Sequence, residues 1–425
     1  MSCPELTAAV AVLALLAVVS ASAGGPPPEP PRQPADRSGP GARAGTVEKV
    51  TLFFSGDVMT ARGIDQILPR PCDPQIHERF MKDARGYIRI AERANGRIDR
   101  PVEFAYIWGD ALETLKRLRP HVRIINLETS VTRSNDYWKG KGIQYRMSPE
   151  NVGCITAAGI DVCVLGNNHV LDWGYAGLTE TLKTLARAGL KTAGAGKDRD
   201  EARAPAVCRI APNVRVLVFS FACPTSGVPP SWAAANGRAG VHFLPSLSDA
   251  AAGRAARLVR RHRRGGDVVI ASIHWGGNWG YAIPSEQRRF AHKLVESAGV
   301  DVVHGHSSHH VKAIEVHKGK LILYGCGDLI NDYEGITGHE SYRGDLGLMY
   351  FATVAAAGGR LVSLRMVPTQ MRRLQLRHPS RRDAQWLHER LDRLCRPLGA
   401  RVKREKDGTL TLRWQQPAMA RQGTG

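Results

Sequence analysis

The chain repeats one pattern five times: a short apolar segment, predicted to be a strand, is followed directly by polar residues. The five segments read VEKVTLFFSGD, HVRIINLETS, GIDVCVLGNNH, GDVVIASIHWGG and GVDVVHGHSSHH. Helical stretches lie between them, and in GLTETLKTLARAG the side chains of Leu178, Leu182 and Leu185 share one face before Gly189 ends the helix. Strands that alternate with helices of this length predict an α/β fold.

The polar residues after these strands are expected to lie close together, because loops at the carboxyl ends of strands in α/β sheets gather at one edge. Each residue alone is compatible with an ordinary core or turn position. Five strands that all end in this way indicate a ligand-binding rim instead. Its candidate residues are Asp57, Glu128, Asn168, His169, His274, His304, His306 and His309.

Carboxylate and amide oxygens together with imidazole nitrogens suit divalent ions such as Mn, Zn or Fe. The candidate set contains two carboxylates, one amide and at least three imidazoles, which exceeds the needs of one tetrahedral ion. We therefore expect a dinuclear site with a bridging carboxylate and a bridging water.

The N-terminal residues 1–23 are predicted to be a signal peptide or an N-terminal anchor, since an apolar stretch ends in the small-x-small site Ala21-Ser22-Ala23. The leader before that stretch has no Lys or Arg and contains Glu5, so an uncleaved anchor stays open as the alternative. Residues 24–46 are rich in Pro and Gly and are expected to form an unfolded linker. Together they predict an exported protein, extracellular or held at the cell surface.

The folded part is expected to consist of a domain over residues 47–370 and a basic extension over residues 371–425. In the extension, RRDAQWLHERLDRLCRPLG is typical of an amphipathic helix and VKREKDGTLTLRW of a β-hairpin that turns at Asp407-Gly408. The extension is either structural or a basic docking surface, and the sequence leaves both open.

The formal net charge of +20 favours polyanionic partners. No zinc-finger spacing, RNP-like motif or helix-turn-helix signature supports nucleic acid, which we therefore exclude as a partner. The eight cysteines include no CxxC pair, which argues against a zinc ribbon, and a Cys208–Cys223 disulfide stays open.

Five blocks of the chain resemble the CapA family of poly-γ-glutamate capsule biosynthesis proteins in both order and spacing. The blocks are FFSGDVMTARG, INLETSVT, GNNHVLDWGYAGLTETL, IHWGGNWGY and GVDVVHGHSSHHVKAIEVHKGKLILYGCGDLI, and together they span about residues 48–350. The resemblance implies a calcineurin-like metallophosphatase fold, an α+β sandwich of central β-sheets flanked by helices.

The resemblance also implies roles for the candidate residues. His169 is implied as a general acid or charge stabiliser, with Asp172 orienting its imidazole. Glu128 is implied as the bridging carboxylate. The implied metal ligands are Asp57, Glu128, Asn168, His274, His306 and His309.

Three departures, one from typical metallophosphatases and two from the CapA pattern, affect this assignment. Met59 stands where a typical metallophosphatase has His, a feature similar to CapA proteins, and it favours a weaker or empty first metal site. Ser307 and Ser308 replace His and Pro of the usual GHHPH, which leaves the ligand pair open among His306, His309 and His310. In GCGDLINDYEG the residues that either add polar contacts or simply form turns are Asp328, Asn331 and Asp332.

The leading functional hypothesis is a metal-dependent hydrolase or transferase that acts on an acidic polymer such as poly-γ-glutamate. The alternative is a non-catalytic accessory protein for polymer synthesis, export or anchoring, working with membrane-bound synthesis machinery. A metallophosphoesterase is the further alternative.

Overall fold

The computed structural model describes residues 47–415. The predicted signal peptide or anchor and the linker lie outside the described residues, as do residues 416–425. Within the described range, no helix is both long enough and apolar enough to cross a membrane.

The described residues form strands β1 to β20. Their bounds are β1 (Lys49–Val58), β2 (Val122–Leu127), β3 (Ser130–Val131), β4 (Arg146–Met147), β5 (Val162–Val164), β6 (Lys191–Ala193), β7 (Ala195–Gly196), β8 (Ala206–Ala211), β9 (Val214–Ala222), β10 (Gly240–Val241), β11 (Asp267–His274), β12 (Val302–His306), β13 (Ile314–His317), β14 (Lys320–Leu323), β15 (Asp328–Ile330), β16 (Leu346–Ala355), β17 (Leu361–Met371), β18 (Leu376–Arg377), β19 (Ala400–Arg404) and β20 (Leu410–Trp414).

The described residues also form helices α1 to α9. Their bounds are α1 (Gly63–Ile67), α2 (Arg85–Asn95), α3 (Ala111–Leu118), α4 (Gly153–Thr156), α5 (Gly174–Arg187), α6 (Arg199–Arg203), α7 (Asp249–His262), α8 (Ser285–Ala298) and α9 (Arg381–Cys395).

Two large sheets carry the fold. The first has the order β19-β20-β17-β16-β1-β2-β5-β6, with β15 also paired to β1 and β18 to β17. The second has the order β13-β14-β12-β11-β9-β8. Parallel pairing joins β1 to β2 and β2 to β5 in the first sheet, and β9, β11, β12 and β14 in the second. Parallel neighbours place their carboxyl ends on the same side of the sheet, which is where the candidate residues were expected.

Alternating side chains of the strands divide the core into layers. Leu52 and Phe54 of β1 pack with Val216 of β9 and Ile270 of β11, so the two sheets bury one face against each other. Phe53 points to the opposite face and packs against helices of the first sheet. The outer face of the second sheet packs against α7 and α8. The result is the α/β sandwich of central sheets flanked by helices that the sequence predicts.

The predicted C-terminal helix and hairpin are present as α9 and β19–β20. The hairpin turns at Asp407-Gly408, where Gly408 has φ of 81°, a value that favours glycine. Strand β20 pairs with β17 and thereby adds the hairpin to the first sheet. Cys208 and Cys223, the pair for which a disulfide was open, are free thiols.

Candidate functional site

The candidate residues come from the carboxyl ends of strands in both sheets. Asp57 is the last residue but one of β1, and Glu128 directly follows β2. His274 and His306 are the last residues of β11 and β12. All four side chains are buried, so the rim is the seam where the two sheets meet.

Three groups of three side chains in the described residues are close enough to hold a metal ion each, and two of them lie at this site. The third group is His292, Glu315 and His317. Asp57, His274 and His306 form the first triad, and Asp57, His309 and Asp328 form the second. Within each triad, the ligand atoms all lie within 4.8 Å of one another. Asp57 belongs to both triads, so its carboxylate would help to hold an ion at either one.

The second triad exists because β15 pairs with β1. The register places Asp328 directly beside Asp57. His309 Nδ1 lies 3.0 Å from Asp328 Oδ1, and Asn331 Nδ2 donates to Asp328 Oδ2 at 2.9 Å. From the sequence, Asp328 and Asn331 could either add polar contacts to the site or simply form a turn. In the structure, both side chains make polar contacts at the site.

The two imidazoles of the first triad face each other through their Nδ1 atoms, which are 2.8 Å apart. The Nε2 atom of His306 lies 2.8 Å from Ser272 Oγ, which leaves its Nδ1 directed toward the triad. A fixed hydrogen bond on the far nitrogen is the usual way in which proteins orient an imidazole toward a metal.

Glu128 and Asn168 lie beside the first triad without belonging to either one. Glu128 Oε1 lies 3.6 Å from His274 Nε2, and Asn168 Oδ1 lies 3.0 Å from the same nitrogen. Glu128 stays a prediction as the bridging carboxylate, and the residue common to both triads is Asp57.

Two buried amides that the sequence analysis passed over hold this arrangement together. Asn126 Nδ2 donates to Asp57 Oδ1 at 2.7 Å, and Asn167 Nδ2 donates to Asn126 Oδ1 at 3.0 Å. Asn167 Oδ1 in turn accepts from His169 N at 3.0 Å. The only available signal was position, since each amide lies one or two residues from a predicted site residue.

His169 is the centre of a second network next to the triads. Asp172 Oδ2 lies 2.5 Å from His169 Nδ1, and the ring of Tyr145 stacks on the imidazole with centroids 3.9 Å apart. Lys141 Nζ lies 3.0 Å from His169 Nδ1 and pairs with Asp172. His169 Nε2 points the other way, 3.8 Å from Glu128 Oε1. Lys141 and Tyr145 sit in a loop region of no clear sequence pattern and were not predicted.

Burial and mutual repulsion set the protonation of the carboxylates. Burial, with Asp328 next in importance, raises the pKa of Asp57 to about 7. Burial, and after it Asp57, raises the pKa of Glu128 well above its ordinary value. Carboxylates that resist ionisation in the metal-free protein are typical of sites where a bound cation replaces the protons.

Burial also governs the imidazoles. It lowers the pKa values of His274 and His306 well below the ordinary value, so both are neutral and able to act as ligands. Burial lowers the pKa of His169 to about 4 despite the opposing effect of Asp172. For His309, burial works in the same direction, but the carboxylate of Asp328 outweighs it and raises the pKa.

The structure separates the remaining histidines from the triads. His304 Nε2 lies 2.7 Å from Ser55 O, and its Nδ1 lies 3.0 Å from Ser272 Oγ. His310 Nδ1 lies 3.1 Å from Val311 O, and its ring stacks with Tyr342. The sequence did not decide which two of His306, His309 and His310 are the candidate ligands. In the structure, His306 and His309 belong to the triads.

Two of the three departures, Met59 and Ser307, have defined local structures. Met59 packs with Ala61 and Tyr145, and its Sδ accepts from Ala61 N at 3.2 Å, so this position is apolar. Ser307 has φ of 104°, which is unusual for a residue with a side chain. Its N–H donates to Asp57 Oδ2 at 3.3 Å, so the strained turn brings a backbone donor to the shared carboxylate.

The site opens into a cleft of about 910 Å³. Three of the basic side chains that line it are already paired with carboxylates: Arg62 with Asp332 and Glu78, Lys141 with Asp172, and Arg343 with Asp345 and Asp383. Arg62 also lies over the ring of Tyr87, 3.8 Å from its centroid. The cleft therefore combines aromatic walls with largely balanced charge.

The donor set fits divalent cations. Carboxylate oxygens and neutral imidazole nitrogens converge in a buried cluster, with a backbone donor and an amide on the shared carboxylate. Such a mixture suits Zn, Mn or Fe better than a hard, all-oxygen ion such as Ca²⁺. The free cysteines lie outside both triads in the described part of the chain.

Comparison with known proteins places the chain among capsule synthesis proteins. A probable polyglutamine synthesis accessory protein of Mycobacterium tuberculosis is 47% identical over 371 residues, 87% of this chain and 97% of that protein. The PGA biosynthesis protein CapA of Bacillus subtilis is 28% identical over 49% of this chain and 52% of its own length. The capsule biosynthesis protein CapA of Bacillus anthracis is 24% identical over 67% and 60% of the two chains.

Among solved structures, a novel phosphatase from Mycoplasma pneumoniae aligns with 75% of this chain and 93% of its own, at a TM-score of 0.41 and 10% identity. The model of the family described as bacterial capsule synthesis protein PGA_cap matches residues 51–333. This match confirms the resemblance to CapA that the five sequence blocks indicate. The chain belongs to the PGA_cap family of bacterial capsule synthesis proteins.

Proposed function

We propose that this protein is a metal-dependent hydrolase or transferase that acts on an acidic polymer, of the poly-γ-glutamate type, during capsule or polymer synthesis. The roles of the relatives in capsule and polyglutamate synthesis support the polymer context. The observation that carries the enzymatic part is the carboxylate of Asp57, which is shared by two triads. The triads adjoin a cleft whose lining includes Glu128, His169 and His309.

The two triads would hold a pair of divalent ions, with Asp57 between them. Bound there, such ions would polarise the attacked carbonyl or phosphoryl oxygen and lower the pKa of water. Asn126 and the N–H of Ser307 orient Asp57 from the protein side. The identity of the metal is part of the proposal to be tested.

His169 would move the proton in the reaction. Because a carboxylate can only accept, Asp172 fixes the hydrogen on Nδ1 and leaves the lone pair of Nε2 directed into the cleft. With a pKa of about 4 the ring is neutral at physiological pH. It can therefore take up a proton beside the reacting bond and return it to the leaving group.

The test combines metal analysis with sizing of the polymer. Purified protein should contain divalent metal in near-stoichiometric amount, and poly-γ-glutamate incubated with it should become shorter on a gel. His169→Ala should abolish the shortening and keep the metal. His378→Ala, which removes an exposed imidazole on the C-terminal side of the fold, is the matched control and should behave like the wild type.

A non-catalytic accessory role is the second candidate. It is favoured by the apolar Met59 position and by the description of the Mycobacterium tuberculosis relatives as accessory proteins. Polymer that is retained at full length by protein without metal would establish this role and reject the enzyme. Turnover of a generic aryl phosphate at an ordinary enzymatic rate would instead identify a metallophosphoesterase.

Export to the cell surface, near membrane-bound synthesis machinery, is the proposed location. It is supported by the sequence of residues 1–23 and by the capsule context of the relatives. N-terminal sequencing of protein recovered from the culture medium and from membranes would distinguish a cleaved signal peptide from a retained anchor.

A further inference from the structure

The structure has a second groove, which is bordered by arginines of two helices. None of its lining residues belongs to the triads. It consists of two adjoining cavities of about 200 and 290 Å³ that share part of their lining. We call it the arginine groove. Its basic residues are Arg199 and Arg203 of α6 and Arg254, Arg257 and Arg261 of α7.

The charge of the arginine groove is not neutralised by the protein. In the part of the chain that the structure describes, none of the five guanidinium groups has a carboxylate within 4.0 Å. The pKa of Arg203 is lowered, first by burial and then by Arg199, with Arg254 and Arg261 acting in the same direction; Asp200 opposes them. The arginines therefore repel one another, and an anion in the groove would relieve that repulsion.

The floor between the arginines is apolar. Phe243, Pro245 and Leu258 line it, with Phe221 beneath the ring of His242 at a centroid distance of 4.5 Å. His242 Nδ1 is buried and has no hydrogen-bond partner among the described residues. A surface that pairs cationic edges with an apolar floor suits a ligand with aliphatic segments between its anionic groups.

One segment of the chain separates this groove from the candidate site. On one side, Ser226 Oγ donates to His274 O at 2.9 Å, and the ring of Trp232 lies 5.4 Å from Lys141 Nζ. On the other side, Ala233 and Phe243 of the same segment line the arginine groove. The groove therefore borders the candidate site without being part of it.

We propose that the arginine groove is a second binding surface, which holds a carboxylate polymer such as polyglutamate. The identity of the polymer rests on the proposed function; the anion-binding character does not. Arg254, Arg257 and Arg261 follow one another at the spacing i, i+3, i+7, so they share one face of α7 over about 10 Å. Guanidinium groups bind carboxylates through two parallel hydrogen bonds, which matches carboxylates that recur along a chain.

Two observations favour a carboxylate polymer as the occupant of the arginine groove: the concave shape of the groove and the paired charges of the cleft. The arginines of α6 and α7 surround a recess with an apolar lining, so a chain that enters the recess can meet both sets of guanidinium groups. In the cleft, by contrast, Arg62, Lys141 and Arg343 already have carboxylate partners. Arg372 is a further basic residue of the cleft. The arginine groove gathers five such guanidinium groups, so the polymer would be retained there while the cleft acts on it.

The experiment measures binding of fluorescently labelled poly-γ-glutamate of defined length to the full-length protein at low salt. The double variant Arg254→Glu, Arg257→Glu should weaken binding by about tenfold or more and reduce its salt dependence. The control Lys183→Glu, Arg187→Glu changes the net charge equally on α5 and should stay within about twofold of the wild type. If the glutamate substitutions impair folding, the milder pair Arg254→Ala, Arg257→Ala replaces them. This pair should also weaken polymer binding relative to the wild type.

The outcomes separate this proposal from the proposed function. Polymer shortening and polymer binding are measured on the same proteins, so that each proposal has a readout of its own. Loss of binding in the groove variants without any polymer shortening by the wild type would reject the enzyme and keep the groove. Equal weakening in the groove and control variants, or unchanged binding in the groove variants, would overturn the groove. Tighter binding to a DNA oligomer or to phosphatidylglycerol vesicles than to the polymer would also overturn it.

Discussion

Asp328 lies directly beside Asp57 in the neighbouring parallel strands β15 and β1, and both carboxylates belong to the triad that contains His309. The ligand atoms of this triad lie within 4.8 Å of one another. Two buried carboxylates this close repel each other unless a proton or a cation lies between them. This relationship supports the metal hypothesis from the structure itself, and it leads to the first two predictions.

The first prediction concerns the metal content of two variants. Asp328→Asn should remove about one ion per chain because it affects only the second triad, whereas Asp57→Asn should remove nearly all metal because both triads use it. Elemental analysis of purified proteins checks this. Asp99→Asn, a change at an exposed carboxylate, is the control. Equal losses in both site variants would contradict a shared role for Asp57.

The second prediction concerns the stability of the metal-free protein. Burial and Asp328 raise the pKa of Asp57 from 3.8 to about 7, so between these values the folded chain holds a proton that the unfolded chain has lost. The free energy of unfolding should therefore decrease as pH rises through this range, by about 1.4 kcal/mol per unit of pKa difference at most. Chemical unfolding in chelator at pH 5 and pH 8 measures it. Asp57→Asn should flatten the dependence, and an unchanged slope in that variant would show that other groups cause it.

The third prediction concerns the partner of His169. Asp172→Asn replaces one carboxylate oxygen by an NH2 donor and removes the negative charge, so the hydrogen on Nδ1 is no longer fixed. The turnover rate should therefore fall by about tenfold or more while metal content stays unchanged. His169→Ala should cost about a hundredfold or more. Steady-state rates of polymer shortening, with metal analysis of the same samples, provide the measurement. A rise in KM with an unchanged kcat would assign Asp172 to substrate binding instead.

The fourth prediction concerns the glycine before the shared carboxylate. A Cβ at Gly56 would lie 1.5 Å from the carbonyl oxygen of Gly327, where β1 and the chain before β15 meet. Gly56→Ala should therefore destabilise the fold by about 3 kcal/mol or more, since backbone atoms must move. Gly265→Ala, whose Cβ would meet nothing within 4 Å, is the control. Thermal unfolding of the two variants provides the measurement. Equal unfolding midpoints would contradict the close approach of Gly56 to the Gly327 carbonyl.

The fifth prediction concerns the C-terminal helix and hairpin. Burial alone would raise the pKa of Asp392, but hydrogen bonds from Arg401, Val402 N and Arg396 outweigh it and lower the pKa to about 2. The stabilisation is present above the ordinary pKa near 4 and is lost as pH falls toward 2. Asp392→Asn should lower the free energy of unfolding at pH 7 by about 1 to 2 kcal/mol, allowing for solvent around the arginines. The difference from the wild type should shrink below pH 3; a constant difference would point to packing instead of charge.

The helices and strands that position the site can be predicted from local sequence patterns. The strands that end near Asp57, Glu128, Asn168, His274 and His306 are short apolar runs, and the periods of strand and helix are visible without a structure. The C-terminal helix and the Asp407-Gly408 hairpin are equally local. The five family blocks then identify the fold, since each combines a strand with the polar residues that follow it.

The sequence by itself therefore determined the α/β architecture, the family and most of the residues at the rim. Only the tertiary structure decided which of them come together in one cluster. Asp57 and Asp328 meet through a strand pairing between distant parts of the chain, and Lys141 reaches Asp172 from a loop. The arginine groove likewise depends on how α6 and α7 pack. Periodicity and strand-end motifs report local preferences, whereas a bridging carboxylate or an unpaired charge depends on neighbours that only the folded chain brings into contact.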